Sequence, residues 1–223
     1  PITAGKSLRR RTVFPPVYYR PAFSMTVPPL DLDWVVAHSF VAAAEHYAVI
    51  DSTNNRAKEA ARSPIELPLL VVADSQTAGR GRGVNRWWTG QGSLAFSLLA
   101  DPAVWRVDTR RHAAALSLGV ANAVAESANA VLPETMRAEV KPPNDVYVGD
   151  RKLAGILIEG LAGGLLVIGI GLNANNTLAD APAELQTTVT TMRELLGRVV
   201  DPTELLLEML VRLEAALTSA GTT

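Results

Sequence analysis

Glu139-Val140-Lys141-Pro142-Pro143-Asn144-Asp145-Val146-Tyr147-Val148-Gly149-Asp150-Arg151-Lys152-Leu153-Ala154-Gly155-Ile156-Leu157-Ile158 is the stretch on which the fold class turns. Apolar, β-branched and aromatic residues flank Gly149-Asp150, a dipeptide suited to a tight hairpin turn. Gly163-Gly164 supplies a second turn within the strand-like run that ends at Gly171. Two successive hairpins imply antiparallel pairing, and the helical patterns elsewhere do not alternate with the strands. That order predicts an α+β fold, with a mixed, largely antiparallel sheet flanked by helices, rather than a doubly wound α/β sheet. A Rossmann reading is weak as well, because the sixth position counted from Gly79 is Val84 and not glycine.

The hairpin also carries candidate chemistry. With Gly149-Asp150 as the turn, Val148 pairs with Arg151, Tyr147 with Lys152 and Asp145 with Ala154. Strand alternation then puts Asp145 and Lys152 on one sheet face within side-chain reach, and Asn144 with Gly155 on the other. Such a pair reads either as a surface ion pair worth about 0–1 kcal/mol or as part of a site. Apolar Leu153 and Ile156 to Ile158 set Lys152 at the edge of a buried strand. Gly155 interrupts that strand, which signals close approach of a ligand or backbone.

Upstream, Leu69-Leu70-Val71-Val72-Ala73 predicts a strand, and Gln76-Thr77-Ala78-Gly79-Arg80-Gly81-Arg82-Gly83 follows it. Glycine lets amide groups approach a ligand because no Cβ intervenes. Arginine offers a planar fork of donors matched to carboxylate or phosphate oxygens. The stretch reads as an anion-binding loop or as a solvated surface loop.

Helices are expected over Leu32–His46, over Arg56–Arg62 after the polar turn Asp51 to Asn55, and from an Asp108 N-cap to about Val131. Ser52 or Thr53 is available to cap the second of these. Tyr47 to Ile50 and Leu94 to Ala100 read as strands. Asp201-Pro202-Thr203-Glu204 combines an N-cap, proline at the first helical position and a box glutamate. Leu206, Leu210, Leu213 and Leu217 then form a core-facing stripe. Residues 1 to about 30, with Arg9-Arg10-Arg11 and several prolines, read as an irregular tail, and 31–223 as one domain.

Composition narrows the function classes. The chain has 223 residues, 48% hydrophobic, and a formal net charge of −1. That balance gives no global attraction to nucleic acid or to an anionic membrane. With no cysteine, disulfides, thiolate metal sites and cysteine nucleophiles are excluded. His38, His46 and His112 lack metal-ligand spacing. No apolar run reaches the length of a membrane span, so a cytoplasmic protein is expected.

Ser52-Thr53-Asn54, Gln76 to Arg82, Lys141 to Gly155 and Val167-Ile168-Gly169-Ile170-Gly171-Leu172-Asn173 resemble, in order and spacing, the motifs of biotin protein ligases. The resemblance covers roughly Tyr47 to Asn173. It implies a catalytic domain of the class II aminoacyl-tRNA-synthetase/biotin-synthetase type that activates biotin with ATP as biotinoyl-5′-AMP. The acyl group then passes to a lysine of a biotin carboxyl carrier domain of a biotin-dependent carboxylase.

By the same resemblance, Ser52, Thr53, Asn54 and Gln76 would hold biotin, with Gly79, Gly81 and Gly155 keeping the walls thin. Arg80 and Arg82 would close over the intermediate, and Lys152 would bind the biotin carboxylate and the α-phosphate. Trp87, Asn144 and Asn173 would contact the nucleotide. Asp145 would help to hold Mg²⁺ with ATP, a task suited to carboxylate oxygen.

The chain departs from the family at Pro142, where a tryptophan is usual. Neither the N-terminal winged helix of repressor-type relatives nor the small C-terminal β-barrel is expected, so no direct DNA binding is expected either. A homodimer is compatible with the resemblance. The alternatives are a homologue that binds biotin or its adenylate with little transfer, and a ligase for lipoate or octanoate.

Overall fold

In a computed structural model, residues 26–109 and 112–221 are described. Nearly all of the expected N-terminal tail therefore lies outside the described residues. The elements run α1 (Leu32–Ala37), β1 (Ala43–Ile50), α2 (Thr53–Ala60), β2 (Leu69–Gln76), β3 (Leu94–Ala100) and α3 (Ala113–Asn129). They continue with β4 (Ala138–Lys141), β5 (Asp145–Val148), β6 (Arg151–Gly160), β7 (Leu166–Leu172), α4 (Ala183–Gln186), α5 (Met192–Leu196) and α6 (Pro202–Ala220). The strands form one seven-stranded sheet in the order β1-β2-β3-β7-β6-β5-β4. Only β1 and β2 run parallel; the other five neighbouring pairs are antiparallel. The expected α+β class, with its mixed and largely antiparallel sheet, is what the chain adopts.

Two layers form because the strands carry different residues on their two faces. Phe96 and Leu98 of β3, Ile156 of β6, and Ile168 and Ile170 of β7 join the main core. Leu116, Val120 and Val124 of α3 and Leu206, Leu210, Leu213 and Leu217 of α6 meet them there. On the opposite face α2 crosses β2, β3 and β7, and Ala57 and Ala60 close a smaller core with Leu69, Val71, Leu99 and Val167. Arg56 anchors α2 to the edge strand through Glu45, Nη2 to Oε1 at 2.7 Å and Nε to Oε2 at 2.8 Å.

Three expectations are corrected. The helix expected over Leu32–His46 ends at Ala37, and Ala43–Ile50 is a strand. Pairing with β2, whose Leu69 to Ala73 are buried, overrides the helical propensity of Ala42-Ala43-Ala44-Glu45. The long helix starts at Ala113, with His112 rather than Asp108 at its N-cap, and Asp108 contributes its carbonyl to the His112 N–H at 2.9 Å. In the hairpin, Val148↔Arg151 and Tyr147↔Lys152 stand as read, but Asp145 pairs with Gly155 and Val146 with Ala154. Leu153 is an extra residue on β6, and this bulge shifts the register beyond the turn.

At α6, Oδ1 of Asp201 accepts from the backbone N–H groups of Thr203 at 2.9 Å and Glu204 at 3.3 Å. Asp201→Ala should cost about 1 kcal/mol of stability, measured as a lower urea midpoint with unchanged slope. No change would mean that water satisfies those amides equally well.

Candidate active site

Floor, wall and loop meet on the α2 face of the sheet. Gly169 and Gly171 of β7, Gly155 of β6 and Ser97 of β3 fall on this face, by strand alternation and by their contacts with α2 and Trp87. Small side chains there leave a depression, and the side chains of Asn54 and Trp87 enter it. A Cβ at Gly169 would collide with the Asn54 amide, and one at Gly171 with the Trp87 indole. The resulting cavity measures about 380 Å³. The alternation Ile168-Gly169-Ile170-Gly171-Leu172 announces one bulky and one bare face, a signal that the sequence reading passed over.

The bulge at Leu153 directs Lys152. A regular β6 would put Lys152 on the face of Ala154 and Ile156, in the main core. With one residue inserted it shares the cavity face with Gly155, whose Cβ position lies 3.3 Å from the Lys152 Nζ. There Nζ meets Asp145 Oδ1 at 2.7 Å and lies 5.8 Å from the centroid of the Trp87 ring. The backbone of Lys152 has left β7 and bonds instead to Thr188 and Thr190. Asn144 fixes the start of β5, with its Nδ2 donating to the Ile156 carbonyl at 2.8 Å. The expected meeting of Asp145 and Lys152 is present, while Gly155 stands with Asp145 rather than with Asn144, because of the bulge.

At the start of α2, Ser52 occupies the N-cap but its side chain makes no capping bond. Gln76, at the end of β2, accepts the Thr53 N–H at 2.8 Å and donates through Nε2 to Thr89 Oγ1 at 2.9 Å. These two bonds fix which end of the Gln76 amide points where. Buried beneath the cavity, Ser97 Oγ lies 2.8 Å from Thr53 Oγ1 and 2.7 Å from Asn54 Oδ1.

From Gly79 to Trp87 the arginine-rich loop is a tight ribbon. The Trp87 N–H donates to the Gly79 carbonyl at 3.0 Å, and Gly81 N–H donates to Asn85 at 2.9 Å. Gly79 is buried at its base, where a Cβ would strike the Trp87 carbonyl. Arg80, Gly81 and Arg82 line the cavity, as do Asn85 and Arg86, which the sequence reading did not single out. Among the expected site residues, Gly79 and Asn173 are not in the lining. Asn173 is buried, and its Oδ1 accepts from Asn176 Nδ2 at 3.2 Å. Trp87 Nε1 is buried and has no hydrogen-bond partner among the described residues.

Glu159, at the end of β6, was also missed. Its Oε2 accepts from Arg80 Nη1 at 3.0 Å and from Asn54 Nδ2 at 2.9 Å, and Oε1 accepts from Lys58 at 2.6 Å. Burial pushes its pKa up, but hydrogen bonds from Lys58 and Asn54 and the charges of Lys58 and Arg80 outweigh this. The carboxyl is left below its ordinary value. No group of three or more metal-ligating side chains occurs among the described residues, and Asp145 is the one carboxylate in the cavity lining.

A group with a depressed folded pKa favours folding above its unfolded pKa, and that contribution disappears as pH falls through the folded value. The stability gap between the parent and Glu159→Gln should therefore be widest near neutrality and narrow in acid. Urea unfolding at about pH 7 and about pH 4 measures it, and an equal gap at both would remove the carboxylate charge from the account.

The model of the biotin/lipoate A/B protein ligase family matches residues 46–175. The bifunctional ligase/repressor BirA of Bacillus subtilis is 31% identical over 161 residues, covering 70% of this chain and 48% of that protein. The biotin–[acetyl-CoA-carboxylase] ligase of Paracoccus denitrificans is 32% identical over 161 residues, 70% of this chain and 65% of its own. Biotin protein ligase from Aquifex aeolicus in complex with biotin and ATP superposes with a TM-score of 0.69 at 31% identity, over 81% of this chain and 72% of that one. The chain spans about half the length of the first curated relatives it matches. On the family match and on this structural likeness, the chain belongs to the biotin/lipoate A/B protein ligase family.

Proposed function

We propose that this protein joins biotin to AMP and then to a lysine of a biotin carboxyl carrier domain. The observation that carries the reading is the presence, in one cavity, of the Thr53–Gln76 amide and hydroxyl pair and the Lys152–Asp145 charge pair. The first suits a cyclic urea, which offers N–H and C=O side by side. A lipoyl or octanoyl tail has no such groups and would leave these polar atoms unmatched, at about 1–3 kcal/mol each.

Chemically, a carboxylate must gain a leaving group before an amine can take its acyl carbon. The biotin carboxylate oxygen attacks the α-phosphorus of ATP, and the bond to the β-phosphate oxygen breaks to release pyrophosphate. The acceptor amine then attacks the acyl carbon, the bond to the AMP oxygen breaks, and the amine gives up a proton. Bringing two anions together needs fixed cations where charge develops. Lys152 is assigned to the carboxylate and α-phosphate, with Asp145 orienting its ammonium.

Ser52, Thr53, Asn54 and Gln76 are assigned to biotin, with Gly81 and Gly155 giving close approach and Gly79 admitting the Trp87 backbone at the base of the loop. Trp87, Asn144 and Asn173 are assigned to the nucleotide, Asn173 in spite of its burial. Arg80 and Arg82 are assigned to closure over the adenylate. A single lining carboxylate fits Mg²⁺ that arrives on the phosphates and keeps most of its other ligands from phosphate and water. Asp145 would hold it, and the ion would neutralise phosphate charge.

Labelled biotin, MgATP and a carrier domain should give acid-stable label on the carrier and pyrophosphate in solution. Tight biotin binding without pyrophosphate would select a binding homologue instead, and preference for lipoate or octanoate would select the other ligase class. Lys152→Ala should slow adenylate formation by about 1,000-fold with an unchanged circular-dichroism spectrum; parental rates would release Lys152 from its role. Arg82→Ala should form adenylate but lose it to water faster, and equal retention in a quench-flow experiment would refute the shielding assignment.

A further inference from the structure

Ser97 is buried and lies outside the cavity lining, yet its oxygen sits between two side chains of the site. A hydroxyl carries one proton, so it cannot donate both to Thr53 Oγ1 at 2.8 Å and to Asn54 Oδ1 at 2.7 Å. The orientation of Asn54 decides between them. Its Nδ2 faces two acceptors, Glu159 Oε2 at 2.9 Å and the Leu157 carbonyl at 3.4 Å. Oδ1 is therefore the atom turned to Ser97, and an amide oxygen only accepts. The Ser97 proton goes to Asn54.

Thr53 then has to supply the proton for the Thr53–Ser97 contact. Otherwise two oxygens 2.8 Å apart would face each other with none between them. Its other candidate acceptor, Gln76 Oε1, is 3.3 Å away and already accepts the Thr53 N–H at 2.8 Å. We propose that Ser97 is a positioning residue for ligand choice: it draws the Thr53 proton away from the cavity, so that Thr53 presents lone pairs there and selects a ring bearing N–H. The order of the chain, from Glu159 through Asn54 and Ser97 to Thr53, follows from the fixed carboxylate at one end. Gly169 is part of the device, since a side chain there would displace the Asn54 amide.

The inference rests on the biotin reading and sharpens it. Its test uses direct calorimetric binding of biotin and of the two cyclic carbamate analogues in which one or the other ureido N–H is replaced by oxygen. For the parent protein, the analogue that sets its ring oxygen against the Thr53 lone pairs should bind about 100-fold more weakly than biotin. In Ser97→Ala the Thr53 hydroxyl is free to turn its proton into the cavity and donate to that oxygen. The biotin-to-analogue ratio should fall by about ten-fold, with biotin losing affinity and the analogue keeping or gaining it.

A merely structural role for Ser97 would weaken all three ligands alike and leave the ratio unchanged, and that result would overturn the proposal. Should Ser97→Ala fail to fold, Ser97→Cys keeps most of the volume and, with its poor S–H group, should lower the ratio in the same direction; an unchanged ratio there counts equally against it. If the parent protein binds no biotin at all, the ligand reading fails. That outcome differs from tight biotin binding with a ratio insensitive to Ser97.

Discussion

The site depends on a constraint of strand geometry: side chains alternate, so the regularly paired residues of β6 and β7 point either to the main core or to the α2 face that holds the cavity. Ile168, Ile170 and Ile156 occupy the first face, and Gly169, Gly171 and Gly155 the second. Lys152 has the wrong parity for the cavity. One inserted residue, Leu153, corrects it, and a lysine that would otherwise lie in an apolar core meets Asp145 instead. An unpaired lysine on the core face would be expelled or neutral. The bulge is thus a condition for placing the Lys152 side chain beside the glycine floor.

Much of this was legible because local chemistry and tertiary structure agree there. Gly149-Asp150 closes the hairpin, β3 spans Leu94–Ala100 as read, and Asp201-Pro202-Thr203-Glu204 starts α6. The failures have separate physical causes. Tyr47 to Ile50 is a strand as read, but Ala43 to His46 has no strong strand period of its own, and its strand state comes from pairing with β2, a partner distant in sequence. The Leu153 bulge is invisible to a rule of strict alternation, so Asp145 and Lys152 were placed together correctly while Gly155 went to the wrong partner. Glu159 and Ser97 escaped notice for another reason. Each is an ordinary residue in an apolar strand, and only the fold brings Arg80, Lys58 and Asn54 to the first and Thr53 to the second.

Polar groups beneath the cavity obey a stricter logic than those at its mouth. In a buried chain of hydrogen bonds each hydroxyl has one proton, and an unmatched contact costs more than a solvated one. A fixed carboxylate therefore propagates a direction through neighbours that are themselves neutral. At the mouth, Arg82 and Val84 are exposed, with Val84 98% accessible, and no such ordering is imposed on them.

These two regimes meet at Arg80. Its backbone belongs to the ribbon that rims the cavity, and its guanidinium is held by Glu159, the same carboxylate that orients Asn54. Any movement of Arg80 toward a bound anion must exchange one anionic partner for another, whereas Arg82 makes no ion pair among the described residues. Lys58 Nζ lies 2.6 Å from Glu159 Oε1 and Asn54 Nδ2 lies 2.9 Å from Oε2, contacts that do not pass through Arg80. On the proposed reading, ligand choice at the base and closure at the rim would share a single carboxylate, because Lys58 pairs with Glu159 independently of Arg80.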